Sequence, residues 1–474
     1  MRRSALVVFL FSLFVVVPFS ANAQGTILAA TPPMGWNSWD SYGLTINEAQ
    51  FKANVDWLNK NLKASGWQYV VIDEGWYLNH PENQGKPAWE YTLSKDGRYM
   101  PSESRFPSAA NGAGFKPLAD SVHALGLKFG IHIIRGIPRE AVDKNLPIAG
   151  STFHAADAAD KSDVCEWNPD NYGLKANAAG QAYYDSLAQL YAGWGIDFIK
   201  VDCISKPYKD DEIRMMSQAL KKTGRPIVFS LSPGATPLDK QEQLEKYAEM
   251  WRISDDVWDF WERPTGKDWA PQSLKEQFKF AASWAGRAKP GHWPDADMLP
   301  FGHLGPVPGY GPVRDSKLTP DEQHTFLNLW CIFRSPLFVG ANLPESNASL
   351  LPLLTNREII AVDQHSTENH PVINTAKTVI WLAKAEAGSG PYDAIKIRPS
   401  TTETTTLDAV GRHYLAVFNI SDAEQTVAYS WKDLELNGNS YQVRDLWLGK
   451  DLASAKSLSV TLKPHASVMY RLSQ

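Results

Sequence analysis

The chain has 474 residues but only three cysteines, Cys165, Cys203 and Cys331, and no Cys-x-x-Cys pair or Cys/His cluster. That scarcity argues against a zinc site. No Gly-x-Gly-x-x-Gly follows the first apolar run, and no Gly-x-Ser-x-Gly occurs anywhere. The first absence argues against a dinucleotide-binding sheet, the second against an esterase-type serine nucleophile. No basic block is present, and 47 Lys and Arg against 52 Asp and Glu leave a net charge of −5. Nothing recommends a nucleic-acid partner. No cofactor motif is visible, so none is expected, and no metal either.

Long apolar runs are also missing, except at the N-terminus. There "MRRSALVVFLFSLFVVVPFSANAQ" carries Arg2 and Arg3, an apolar stretch from Ala5 to Phe19, and Ala21-Asn22-Ala23 before Gln24. This is the grammar of a signal peptide over residues 1–23. The run is short for a bilayer span, so an exported chain without a membrane span, periplasmic or extracellular, is expected. Export permits a disulfide. An odd cysteine count leaves one thiol free, and Cys331, in the helical-looking "FLNLWCIF", is expected to be buried.

Aromatics, by contrast, are plentiful, with 18 Trp and 17 Tyr. They suit a large core, and they also suit sugar binding, because aromatic faces stack on the apolar faces of pyranose rings. The length points to two domains or to a large barrel with an added module. From Pro33 to about Leu343, eight strand-like runs alternate with amphipathic stretches. The runs are "PPMGWNSW", "YVVIDEGW", "KFGIHIIRG", "FIKVDC", "PIVFSLSP", "MWRISDD", "GHWPDADML" and "PLFVGANL". The stretches between them include 47–64, 115–125, 180–193 and 241–250. This alternation predicts an α/β fold, a (β/α)8 TIM barrel over residues 24–365. After Gln364 the runs become short, close together and alternating, as in "HYLAVFNIS" and "ASVMYRLS". They predict a C-terminal antiparallel β-sandwich over 366–474.

The barrel runs share a second feature, in that each begins apolar and most end polar. "DFIKVDCIS" poses the question most sharply, since Lys200 and Asp202 interrupt a buried-looking strand. Unpaired buried charge is costly, so these groups must be paired or employed. Trp39 and Asp40, Asp73 and Glu74, His132 and Arg135, Ser230 and Ser232, Arg252 and Asp256, and Asp295 and Asp297 end other runs in the same way. Barrel active sites form at the C-terminal ends of the strands, so these groups should converge on one polar pocket. The Gly/Pro-rich "GHLGPVPGYGPVRD" is expected at its rim. The pocket is rich in carboxylates, and two facing carboxylates are what glycoside hydrolysis requires.

Six ordered motifs, "PPMGWNSWDSYG", "VVIDEGWY", "KVDC", "WRISDD", "DADML" and "PLFVGANL", resemble glycoside hydrolase family 27, the melibiase or α-galactosidase group. The resemblance runs from about Pro32 through Gln364. It implies a retaining double displacement on a carbohydrate substrate with a terminal α-galactosyl-like residue, without cofactor. In the Lys-x-Asp-x-Cys motif the nucleophile maps to Asp202, with Lys200 binding sugar hydroxyls and keeping Asp202 ionised. The acid/base, four residues after an Arg, maps to Asp256, with Arg252 holding a ring hydroxyl and Asp255 the rival for the proton-transfer role. Asp256 is expected to be protonated at rest. Trp39 resembles the sugar-stacking Trp, and Asp73 and Glu74 the acid pair that grips O4 and O6. The family's cystine after the nucleophile implies a Cys165–Cys203 bridge.

Three departures bear on substrate. Glu74 and Gly75 stand where the family usually reads Asp-Cys. The extra methylene pushes the carboxylate towards the C6 region of the sugar. β-L-Arabinopyranose is α-D-galactose without its C6 hydroxymethyl group, so Glu74 would favour the pentose by about 1–3 kcal/mol. His132 replaces a usual Tyr and is a candidate substrate contact. "SLSPGAT", with the small residues Ser232 and Ala235, replaces Cys-Glu-Trp and leaves room for an acetamido group. The expected activity is therefore an exported exo-α-galactosidase. A β-L-arabinopyranosidase is the alternative; an α-N-acetylgalactosaminidase or a non-catalytic carbohydrate-binding barrel stands behind both.

Overall fold

Residues 27–83, 89–265, 271–305, 311–386 and 412–474 are described by a computed structural model. The expected signal peptide and residues 306–310 of the Gly/Pro-rich loop lie outside them.

All eight expected runs form strands of one parallel sheet: β1 Met34–Asn37, β2 Tyr69–Ile72, β3 Lys128–Ile134, β4 Phe198–Asp202, β5 Val228–Leu231, β6 Met250–Arg252, β7 Trp293–Asp295 and β8 Leu337–Val339. Their order is β7-β6-β5-β4-β3-β2-β1-β8. The ring closes just past β7, where Leu299 bridges to Val339 in parallel. There the Leu299 N–H donates to Phe338 O at 2.7 Å, and Gly340 N–H to Leu299 O at 3.1 Å. Both faces of the sheet are covered, so strands such as β2 are buried at every position and read as unbroken apolar runs. Gly35 of β1 is required by this closeness, because a Cβ there would lie 2.5 Å from Tyr69 O.

A helix follows each strand before the next: α1 Glu48–Asn61, α2 Lys116–Ala124, α3 Ala178–Trp194, α4 Asp210–Lys222, α5 Gln241–Tyr247, α6 Leu274–Trp284, α7 Pro320–Phe333 and, after β8, α8 Arg357–Gln364. Local chemistry sets several starts. Asn47 with Gln50, Ser273 with Glu276 and Thr319 with Glu322 form capping boxes, the last with Pro320 in the first turn. The expected helix over 241–250 ends early, at Tyr247. Ala248 is extended, and Met250 pairs with Trp293 as the first residue of β6.

The C-terminal part is an antiparallel β-structure. A six-stranded sheet contains β9 Ser366–Asn374, β10 Thr378–Ala385, β11 His413–Asn419, β13 Gln442–Asp445, β14 Lys450–Asp451 and β16 Ser467–Ser473, in the order β9-β10-β11-β16-β13-β14. A separate pair joins β12 Gln425–Ser430 to β15 Ser457–Leu462. The barrel's α6 and α7 carry much of the contact with it. Phe278 packs edge-on against Phe418, with ring centroids 5.1 Å apart. The Thr325 hydroxyl donates to His465 O at 2.6 Å, and the Trp447 indole N–H to Asn328 Oδ1 at 2.9 Å. Cys331 is fully buried in α7.

Candidate active site

The strand ends of the barrel surround a cavity of about 640 Å³. Trp39, Asp73, Glu74, Lys200, Asp202, Arg252 and Asp256 all line it, together with Asp40 and Asp297. His132 and Ser232, expected as substrate contacts, are placed differently. His132 is completely buried and bonds to Asp202, so it supports that carboxylate instead of forming the wall. Ser232 is also buried, and its neighbour Pro233 lines the cavity. Trp39 lies beyond β1, in a single helical turn Trp39–Tyr42, because Asn37 Oδ1 accepts from its backbone N–H at 2.8 Å and turns the chain.

One wall is built by β2, β3 and β4. Asp73 Oδ2 accepts from Lys200 Nζ at 3.0 Å and from Asn37 Nδ2 at 2.7 Å. Its Oδ1 accepts the Glu74 N–H at 2.9 Å. His132 Nε2 lies 2.9 Å from Asp202 Oδ2. Burial opposes ionisation of Asp202, but Lys200 and His132 overcome it and hold the carboxyl well below the usual range. Asp73 is lowered for the same reasons, with burial opposing and Lys200 then His132 prevailing. Burial would neutralise Lys200 and His132, yet the facing carboxylates raise both. The charges that interrupt "DFIKVDCIS" are therefore balanced across neighbouring strands.

Glu74 behaves differently from its neighbours. It is buried, and Oε1 accepts from Asn168 Nδ2 at 2.7 Å. Burial pushes its carboxyl up to about 8; His132 opposes this, while Asp170, Asp202 and Asp73 add to it. Asn168 comes from the segment after β3, anchored at both ends. Cys165 is bridged to Cys203, the residue after Asp202. Asp170 accepts from Tyr91 Oη at 2.7 Å and from Tyr77 Oη at 2.5 Å.

The second wall comes from β6 and β7. One Arg252 Nη2 lies 2.9 Å from Asp297 Oδ2 and 3.3 Å from Asp256 Oδ1. Asp256 has a side chain 38% exposed, whereas that of Asp202 is only 10% exposed. Asp255, the rival of Asp256, also lines the cavity but pairs with Lys206 at 2.9 Å. Burial raises Asp297 to about 7; Arg252 opposes this, and Asp256 and Asp295 reinforce it. Asp297 also sits at φ +85°. Such a non-glycine conformation persists only when its surroundings over-determine it. Here the Val257 N–H donates to its Oδ2 at 2.7 Å and the Trp330 indole N–H to its carbonyl at 2.7 Å.

Sequence reasoning missed Asn37, Asn168 and the role of Asp297. Asn37 and Asp297 stand at strand ends and were open to that signal. Asn168 lies 94 positions from the carboxylate it holds, with no local sign of the pairing. Among the described residues, no group of His, Cys, Asp or Glu is arranged to hold a metal ion, and no helix is long and apolar enough to cross a membrane.

A closed parallel barrel whose strand ends bring several carboxylates, two paired cations and tryptophans to one cavity supplies the groups that glycoside hydrolysis needs. Residues 170–365 match the family model Alpha galactosidase A, and residues 406–472 match Alpha galactosidase C-terminal beta sandwich domain. The crystal structure of a GH27 β-L-arabinopyranosidase from Geobacillus stearothermophilus is 43% identical, with a TM-score of 0.83 over 94% of this chain and 97% of that one. The α-galactosidase of Cyamopsis tetragonoloba is 28% identical over 94% of this chain and 87% of its own. Alpha-galactosidase A of Cellvibrio japonicus is 26% identical over 97% and 96%. The chain belongs to glycoside hydrolase family 27.

Proposed function

We propose that the protein is an exported, retaining exo-glycosidase that removes terminal β-L-arabinopyranosyl residues, and α-D-galactosyl residues less efficiently. Glu74 carries the choice of sugar. It lines the cavity beside Asp73, one methylene longer than an Asp, and its bond to Asn168 keeps it from swinging away. A carboxyl fixed there crowds a C6 hydroxymethyl group and leaves a pentose unhindered. The 43% identity to a β-L-arabinopyranosidase supports the same choice. This reverses the order of the two substrates expected from the sequence. The second reading, a preference for α-D-galactosides, is supported by the curated relatives at 26–28% identity.

In this reading Asp202, kept ionised by Lys200 and His132, attacks the anomeric carbon while Asp256 protonates the leaving oxygen. Asp256 then takes a proton from the water that releases the sugar. Lys200, Asp73 and Arg252 hold ring hydroxyls, and Trp39 stacks on the ring. Residues 24–365 form the catalytic unit, residues 366–474 support it, and residues 1–23 direct export.

The test is kcat/KM of the mature chain on 4-nitrophenyl β-L-arabinopyranoside and on 4-nitrophenyl α-D-galactopyranoside. The pentoside is expected to win by about tenfold or more, and Glu74→Asp is expected to move the ratio towards the galactoside by about 10- to 200-fold. A galactoside preference in the parent chain, or a ratio unmoved by Glu74→Asp, overturns the assignment.

A further inference from the structure

The mouth of the cavity carries an aromatic side chain that a monosaccharide site does not need. Trp167 is 49% exposed, although large exposed apolar side chains are few among the described residues. It lines the same cavity as the carboxylates, as does the adjacent Glu166. Neither residue stands on a free loop. Two positions before Trp167, Cys165 is bridged to Cys203, which follows Asp202. One position after it, Asn168 is bonded to Glu74, and three after it Asp170 is held by Tyr77 and Tyr91. A short segment is thus pinned on one side to the strand bearing Asp202 and on the other to the carboxyl placed at C6. An indole carried on an anchored backbone leaves little backbone freedom to lose on binding, and its face presents apolar area that water covers poorly. Pockets for drug-sized ligands run from roughly 300 to 1,000 Å³. At about 640 Å³, this cavity has room beyond a single pyranose.

We propose that Trp167 and Glu166 form a subsite for the second sugar ring, the saccharide that leaves when the terminal residue is cut. The indole stacks on the apolar face of that ring, and the Glu166 carboxylate accepts hydrogen bonds from its hydroxyls. The proposal deepens the glycosidase reading above and rests on it. It assigns the enzyme to saccharide-linked substrates over simple alkyl glycosides.

The experiment compares two substrates with the same terminal sugar. One is the methyl glycoside, with nothing to reach Trp167; the other is the disaccharide in which a second pyranose replaces the methyl group. Each pair is made with β-L-arabinopyranose and with α-D-galactose. Trp167→Ala is expected to lower kcat/KM on the disaccharide about tenfold and to leave the methyl glycoside within about twofold. Trp167→Tyr should recover most of the loss, and Glu166→Gln should weaken the disaccharide alone by a smaller factor. Equal losses on both substrates, or no loss on either, overturn the subsite. Each comparison is made within one terminal sugar, so a wrong choice between pentose and hexose shows in the parent chain's preference and leaves this result readable.

Discussion

The two walls of the cavity treat charge in opposite ways. On the β2–β4 wall, Asp73 and Asp202 face Lys200 and His132, two carboxylates against two cations. On the β6–β7 wall, Asp256 and Asp297 share one nitrogen of Arg252, and Asp295 lies in the same field. Where Lys200 and His132 face them, Asp73 and Asp202 stay charged despite their burial. Where they do not, a carboxyl such as Asp297 keeps its proton up to about pH 7. Double displacement asks for this division, because one group must be an anion when it attacks the anomeric carbon, while the other side must exchange protons.

The sharpest way to break the comparison is to remove one carboxylate from each wall. Asp202→Asn is expected to abolish turnover, by more than about 10⁴-fold, while calorimetry still detects sugar binding. Asp256→Asn should cost about 10²- to 10⁴-fold on an alkyl glycoside, and far less on a dinitrophenyl glycoside whose leaving group needs no proton. Ordinary turnover in the Asp202 variant, or an Asp256 loss independent of the leaving group, would remove the division of labour.

Much of this was legible in the sequence because a parallel barrel writes itself twice. Covered strands appear as unbroken apolar runs, and each active-site group stands at the end of one. Asp73, Glu74, Lys200, Asp202, Arg252 and Asp256 were placed in the cavity by that rule, and all line it. The rule overreaches where a side chain lies beneath the cavity wall and is fully covered. His132 shares the strand-end signature, but its ring is buried against Asp202. It also fails for Asn168, which reaches Glu74 from a distant loop. In the sandwich, β9 "STENHPVIN" carries no alternating pattern in the sequence, and its pairing with β10 is interrupted by two register shifts. Ser457–Leu462 alternates only weakly, among serines and threonines.

His132 offers a finer test of the cation-matched wall. It is a positioning residue, held at 2.9 Å from Asp202 and faced by Asp73, Glu74, Asp170 and Lys200. Its folded pKa is raised, so its charge is present at low pH and is lost as pH rises through that raised value. The support it gives Asp202 weakens in the same direction. His132→Phe is expected to lower kcat/KM about tenfold, the cost of one hydrogen bond to a charged group. His132→Tyr keeps a donor without the titration, so it should restore activity to within a few-fold and carry the alkaline limb of the pH profile upward. If Phe and Tyr variants lose equally, and the alkaline limb stays fixed in both, His132 is only a packing residue.

Glu74 sharpens the comparison with the smallest effect, because it sits on the cation-matched wall and still holds its proton. Burial raises its carboxyl, His132 opposes the rise, and the acids Asp170, Asp202 and Asp73 add to it. Lys200 is committed to Asp73. With a carboxyl raised from 4.5 to about 8 in the fold, the folded state binds more protons than the unfolded chain between those limits. Stability must therefore fall as pH rises through that window. Glu74→Gln keeps the shape of the protonated acid and an oxygen for Asn168, but it cannot titrate. Melting curves should show the parent chain losing Tm relative to Glu74→Gln from about pH 5 to about pH 8. Parallel curves over that range would mean that Glu74 is ionised in the fold. A buried anion held in place by Asn168 would then be the group that crowds C6.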